Sequence, residues 1–338
     1  MDCIPNISVI LPVFNGETFL EEAIESCLKQ TWKNFELIIV DDCSSDNSLK
    51  IATYYANFDQ RIKIISNSTN KKLPASLNIG HHSATGKYLT WTSDDNILKG
   101  NMLEVLLDNM IKNKADLVFS DYDIIEEDGR YRRTQELGPV SGLLFGNTIG
   151  ASFLYKKKVF ENLSGFDEDL YTLEDYDFWL RASIKFKLHH IRESLYLYRI
   201  HRNNLTSIVD EDPEIKRIFG NKHKIVYEKI SNILGWSEST IRFLYMSRGF
   251  ESWDMEFFKN NFSTIKNDLG KFQARVNAND KGKIFQKMDM LLRHVILNNP
   301  LDKKYIAWLL FRRPGILFDP HYSKKTSLKI LKKYVDYN

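Results

Sequence analysis

The chain has 338 residues, 47 Lys or Arg against 44 Asp or Glu for a net charge of +3, with 43% apolar and 27% charged side chains. That balance is globular and excludes a disordered chain, a collagen-like repeat and a coiled coil. The length is large for one core, so two domains, or one domain with an appendage, are expected.

Ile7 to Val13 is an apolar run stopped by Asn15-Gly16 and reads as a buried strand. Asn15 is expected to cap the helix that follows, in which Phe19, Leu20, Ala23, Ile24, Cys27 and Leu28 form one apolar stripe. Phe35 to Val40 is a near-continuous apolar strand of the kind buried on both faces of a parallel sheet, and it ends at Asp41-Asp42. Ser44, Ser45 and Asp46 offer caps for a second helix running to about Phe58. Arg61–Ser66 is a third strand, Pro74–Ala84 a third helix, Lys87–Thr92 a fourth strand ending at Ser93-Asp94-Asp95-Asn96, and Asn101–Asn113 a fourth helix. Asp116–Ile125 is a fifth strand, turned by Asp128-Gly129. This alternation predicts a parallel, doubly wound α/β sheet with ligands at the carboxyl ends of its strands, where two of the acidic clusters fall.

After Gly138 the pattern becomes loop-rich. A helix is expected over Glu174–Ile184, with Phe178-Trp179-Leu180 in the core and Asp177 solvated, then a short strand over Tyr196–Ile200. From about residue 211 the chain reads as helical and basic. Residues 1–210 hold 23 basic and 30 acidic side chains, a net of −7, and residues 211–338 hold 24 and 14, a net of +10. The expected organisation is therefore a domain over 1–210 and a basic helical C-terminal region over 211–338.

Cys3, Cys27 and Cys43 are too few and too unevenly spaced for a disulfide framework or a thiolate zinc site, which points to a reducing compartment. The first residues lack the basic and apolar regions of a secretory signal. The apolar run Tyr305–Phe311 has seven residues, far short of the ~20 needed to cross a bilayer. A cytoplasmic protein follows as the expectation, in contact at most with the inner face of a membrane.

No G-x-G-x-x-G follows the first strand and no G-x-x-x-x-G-K-[ST] occurs, so a dinucleotide dehydrogenase and a P-loop NTPase are disfavoured. Paired carboxylates at a strand end, such as Asp94-Asp95, are hard oxygen ligands suited to Mg²⁺ or Mn²⁺ carrying a diphosphate. Taken alone they read more readily as caps or turn residues.

Their context is more specific. Val9-Ile10-Leu11-Pro12-Val13-Phe14-Asn15, Val40-Asp41-Asp42-Cys43-Ser44, Ala84-Thr85-Gly86-Lys87-Tyr88, Ser93-Asp94-Asp95, Gly165-Phe166-Asp167 and Glu174-Asp175-Tyr176-Asp177-Phe178-Trp179 occur in that order over about residues 5–205. Together they resemble the family 2 glycosyltransferases of the GT-A fold, inverting enzymes that use nucleotide-diphosphate sugars. The resemblance implies a Rossmann-like, mostly parallel sheet flanked by helices, with a C-terminal helical subdomain. It implies that Pro12 and Phe14 border the nucleobase and that Asp42 accepts the uracil N–H. Ser93-Asp94-Asp95 matches the D-x-D motif with Ser in place of the first Asp; Asp94 then approaches the ribose and Asp95 binds Mn²⁺ or Mg²⁺. Asp175 matches the general base, and His201, in Tyr198-Arg199-Ile200-His201, a residue that reaches the metal or the diphosphate.

The implied partners are a UDP-sugar donor and a hydroxyl of a glycan or lipid-linked oligosaccharide acceptor in cell-surface polysaccharide biosynthesis. The physical logic agrees: a leaving diphosphate needs a cation, and an attacking hydroxyl needs a carboxylate to take its proton. Two other readings stand beside this one. A nucleotidyltransferase would carry a Gly-rich basic loop where Pro12-Val13-Phe14-Asn15 stands. A non-catalytic glycan- or lipid-binding protein on a degenerate transferase fold would not need Asp42, Asp95 and Asp175. The five lysines of Lys324–Asn338, interleaved with Leu328, Ile330, Leu331 and Tyr334, suit either an anionic membrane surface or a solvated helix face. No nucleic-acid module accompanies the charge, so nucleic acid is not an expected partner.

Overall fold

A computed structural model describes residues 6–202, 204, 213–276, 283–319 and 322–335. Cys3, Asn203 and the expected domain boundary at 210/211 lie outside the described residues. The contacts divide the chain into two units. One comprises residues 1–140 and 147–219, the other residues 141–146 and 220–338.

The first unit opens with β1 (Ile7–Val13), α1 (Leu20–Leu28), β2 (Phe35–Asp41), α2 (Ser48–Phe58), β3 (Ile62–Ser66), α3 (Leu73–Ser83) and β4 (Tyr88–Trp91). It continues with β5 (Ile97–Leu98), α4 (Met102–Lys112), β6 (Leu117–Ile125), β7 (Tyr131–Gln135), β8 (Phe153–Lys156), α5 (Lys157–Leu163), α6 (Glu174–Lys185) and β9 (Leu188–Arg199). One sheet runs in the order β3-β2-β1-β4-β8-β6-β9-β5, with β7 hung on β6. β1 and β2 are buried along their whole length, which is why they carry no polar–apolar alternation.

β3, β2, β1 and β4 are parallel, as the alternation predicts. The other half is mixed. β8 runs antiparallel between β4 and β6, β5 antiparallel to β9, and only β6 and β9 pair in parallel. The doubly wound expectation fails there because β8 and α5 lie in the stretch read as loops, and because the last strand spans Leu188–Arg199 rather than starting at Tyr196. β9 alternates irregularly and carries two register shifts against β6, so no clean period marks its first half.

Asn15 does not cap α1. It adopts φ 54°, and its Oδ1 accepts the N–H of Ser45 at 2.8 Å, tying the β1 loop to the β2 loop. Asp46 does help to start α2, accepting the Ser48 N–H at 2.9 Å, and its other oxygen holds the Glu17 N–H at 3.0 Å. The core between α1, α4 and the sheet includes Ile24, Cys27, Leu37, Leu106 and Tyr196; burial pushes the Cys27 thiol up to about 12, so it packs as a small apolar group.

α6 packs Phe178, Trp179 and Leu180 into the interior, with Trp179 4.6 Å from Phe153. Asp177 is not solvated. Its side chain is fully buried and ion-paired with Arg181 at 2.6 Å, which also donates to the carbonyls of Leu163 and Gly165. The helical period places Asp177 beside the core rather than opposite it, so its charge is matched internally.

Within its described residues the second unit is helical, with α7 (Pro213–Leu234, entered from the first unit), α8 (Glu238–Ser247), α9 (Met255–Arg275), α10 (Lys283–Asn298), α11 (Lys303–Arg312), α12 (Gly315–Phe318) and α13 (Lys324–Val335). Asp268 accepts from Ser237 and Thr240 and so satisfies the start of α8, while Asp289 takes Arg313 through both oxygens. Residues 141–146 belong to this unit: Tyr227 donates to the Leu144 carbonyl and Arg248 to that of Phe145. Among the described residues no helix is long and apolar enough to cross a membrane.

Candidate active site

The carboxyl ends of β1, β2 and β4 carry Pro12–Phe14, Asp41-Asp42 and Ser93–Asp95 to one edge of the sheet, because parallel neighbours in register end together. Pro12 is buried opposite Val40, and Phe14, just past the strand, is exposed. Asp42 is buried and accepts three N–H bonds, from Asn67 Nδ2 and the backbones of Lys71 and Lys72, at 2.8–2.9 Å. The lysine pair thus meets Asp42 through its backbone. Tyr171, whose hydroxyl pKa is raised mainly by burial, feels the charges of both Asp42 and Glu174 and so stands between the β2 end and the start of α6.

Asp94 is bonded by the backbone N–H of Phe14; burial first and the Asp95 charge second push its carboxyl up to about 7. Gly16 is required beside it, since a Cβ there would come within 2.0 Å of Asp94 Oδ2. Asp95 Oδ2 lies 2.9 Å from His201 Nε2 and accepts from Asn204 Nδ2 at 3.2 Å. Asp95 Oδ1 is buried with no hydrogen-bond partner.

Arg199, at the end of β9, is buried beneath this pair. It donates to the Asp95 carbonyl at 3.0 Å, to the Glu127 carbonyl at 2.8 Å and to Glu22, and stacks over Phe19 at 4.6 Å. Its own N–H is accepted by Asn96 at 2.8 Å, and the His201 ring lies 5.3 Å from Phe19. Three elements therefore converge to fix the Asp95–His201 pair. Among the described residues no group of three or more His, Cys, Asp or Glu gathers for a metal. The donor set still fits a hard divalent cation. Such ions take one or two protein groups and complete their shell with substrate phosphate and water, and a buried unsatisfied carboxylate oxygen beside an imidazole offers that start.

Asp175 starts α6. Its Oδ2 accepts from Asn147 Nδ2 at 2.8 Å and its Oδ1 from the Tyr176 N–H at 2.6 Å. Burial outweighs these bonds and raises its carboxyl to about 6. Tyr122 on β6 lies in the electrostatic reach of Asp175 and packs 5.8 Å from Tyr198, three residues before His201. Sequence reasoning missed Asn147, Asn204 and the buttressing role of Arg199. Asn147 precedes a glycine at turn spacing, but nothing local names a partner 28 residues on.

Carboxylates gathered on the carboxyl edge of the sheet, one pushed up to about 7 and another with an unsatisfied oxygen beside a histidine, mark this edge as the candidate site. The sequence model of Glycosyl transferase family 2 matches residues 8–168. EpsE of Bacillus subtilis, named as a glycosyltransferase, is 34% identical over 208 residues, covering 58% of this chain and 73% of EpsE. An uncharacterized glycosyltransferase of Rickettsia felis is 31% identical over 209 residues, where the chain spans about a third of that relative's length (34%). S. aureus TarS 1-349 in complex with UDP-GlcNAc shares the fold with a TM-score of 0.59 at 18% identity, covering 97% of this chain and 89% of that one. The chain belongs to glycosyltransferase family 2 and has the GT-A fold.

Proposed function

We propose that this glycosyltransferase moves a sugar, with inversion, from a UDP-sugar to a hydroxyl of a glycan or lipid-linked oligosaccharide in cell-surface polysaccharide biosynthesis. Residues 1–210 are the catalytic domain in this reading and 211–338 a basic region peripheral to an anionic, cytoplasmic membrane face. The observation that carries it is the unsatisfied Asp95 Oδ1 beside His201 at the carboxyl edge of the sheet. TarS, of the same fold, has been crystallised with UDP and UDP-GlcNAc, and the Pyrobaculum calidifontis mannosyltransferase PcManGT, with a TM-score of 0.50, with GDP-Man and Mn²⁺.

Pro12 and Phe14 flank the nucleobase, and Asp42 closes its edge with the Oδ2 lone pair that Lys72 leaves open. Asp94, held by Gly16 and Phe14, faces the ribose. Asp95 and His201 would hold Mn²⁺ or Mg²⁺, which would supply positive charge to offset that developing on the leaving diphosphate. Asp175 takes the proton of the acceptor hydroxyl as its oxygen attacks the anomeric carbon from the face opposite the diphosphate. The carbon–oxygen bond to phosphate breaks, its electron pair leaves with UDP, and the configuration inverts. A base near pH 6 suits this proton transfer, since it is ionised at neutral pH yet not wasted in basicity.

Calorimetry with UDP, GDP and CDP in the presence of Mn²⁺ tests the donor. UDP is expected to bind tightest, and tighter binding of GDP or CDP overturns that assignment. Asp95→Ala is expected to remove the metal-dependent part of UDP binding; full turnover of the wild type in excess EDTA refutes the metal role.

A further inference from the structure

Asn147 stands outside every role given so far, yet its contacts are unusually directed. Its Oδ1 accepts the N–H groups of Ile149 at 3.1 Å and Gly150 at 3.3 Å, so the orientation of the amide is fixed. Its NH₂ therefore points at Asp175 Oδ2, 2.8 Å away. The turn that does this depends on Gly150, which has φ +68° and where a Cβ would meet the Tyr122 ring at 2.6 Å. We infer that Asn147 is the positioning residue of the base, holding the Asp175 carboxylate aimed and ionised, so that the base works as an Asn–Asp pair. The inference rests on the reading of Asp175 as the base.

The charge environment supports this. The groups beside Asp175 are Asn147 from the turn and, in electrostatic reach, Tyr122 from β6; Glu174 and Asp177 are its neighbours along α6. Burial raises Tyr122 to about 12, so it stays a neutral phenol. Asp177 is ion-paired with Arg181. Asn147 Nδ2 and the Tyr176 N–H donate to the carboxylate, and both favour its charged form against burial. Asn147 is exposed, so the bond lies where the site meets solvent.

Two variants separate this from a purely local role in the turn. Asn147→Asp keeps an oxygen for the Ile149 and Gly150 N–H groups but replaces the donor with a second carboxylate. Asn147→Ala removes both functions. The midpoint of Asp175 is read by carbon-13 NMR titration of its carboxyl, assigned with Asp175→Asn, and beside it the pH profile of UDP-GlcNAc hydrolysis. Loss of one charge-assisted bond is expected to move the midpoint up by about one unit, so at pH 6 ionised Asp175 falls about fivefold. Asn147→Asp is expected to shift it further, the two carboxyls titrating as a pair. A midpoint unchanged in both variants overturns the inference, as does Asn147→Asp behaving like wild type while Asn147→Ala alone is impaired. If Asn147→Ala does not fold, Asn147→Asp still carries the test. If the midpoint moves as expected while Asp175→Asn keeps full turnover, the pair stands and the assignment of the base fails.

Discussion

In the proposed reading Asp175 is a carboxyl that trades stability for reactivity. Its folded-state pKa of about 6 lies above the ordinary aspartate value, so the folded chain binds this proton more tightly than the unfolded chain does. Its ionisation therefore costs stability as the pH rises from about 4 through about 6, and the cost persists above that. Thermal unfolding should show Asp175→Asn more stable than wild type at pH 8 and no different at pH 4. Turnover should move oppositely: a base works ionised, so the wild-type rate rises with pH through about 6, and Asp175→Asn loses about 10²–10⁴-fold at neutral pH. A stability difference between the two chains that is the same at both pH values would show that burial does not strain this group. Asp95 differs in kind. Its neighbours hold one oxygen and leave the other buried without a hydrogen-bond partner.

Among the elements, α6 connects the core to the site. Its first turn presents Asp175 while its next residues bury Phe178 and Trp179 and the Asp177–Arg181 pair. Arg181→Ala leaves a buried carboxylate without its main cation and should cost about 3–5 kcal/mol, measured by urea unfolding. Trp179→Ala should cost a similar ~3–5 kcal/mol through cavity formation. A loss under 1 kcal/mol in both would mean that α6 is not anchored as described. The helix itself was legible from its spacing, and its aromatic core with it. The burial of Asp177 was not, because a period of 3.6 marks a face but does not say how far the neighbouring elements wrap around it. The strand β8 escaped for a related reason. Four residues that follow a glycine-punctuated stretch and run straight into α5 carry little period, and β8 exists because β4 and β6 offer it two open edges.

At the scale of the whole molecule the charge is divided, and α13 carries the clearest sign of why. Ile330 is buried while Leu328, Leu331 and Val335 are 61%, 39% and 59% exposed. At 100° per residue these three form one outward stripe, with Lys324 within it and Lys325 and Lys332 along one border. Such a face suits an anionic lipid surface, each lysine contributing roughly 1 kcal/mol that salt screens. Replacing Leu328, Leu331 and Val335 by Ser should weaken binding to phosphatidylserine vesicles in flotation assays and leave UDP binding unchanged. Removal of α13 is a poorer test, since Ile330 and the Lys333 bonds to Leu297 and Asn299 make it part of its unit's packing. A wild-type chain that ignores such vesicles at low salt refutes the membrane role.

The sequence by itself determined the parallel half of the sheet, since strands buried on both faces must be written as apolar runs and helices over them as stripes. It also determined which carboxylates stand at the strand ends, because a turn that follows a buried strand can be located to within a residue or two. The tertiary structure decided what those carboxylates face. Asp95 meets His201 from 106 positions along the chain and Asp175 meets Asn147 from 28. Such pairings depend on how the mixed half of the sheet closes, through β8 and the irregular register of β6 with β9. Local periodicity records the burial of each element separately. It holds no record of which distant side chain will share a carboxylate, for that is fixed only when the strands have found their order.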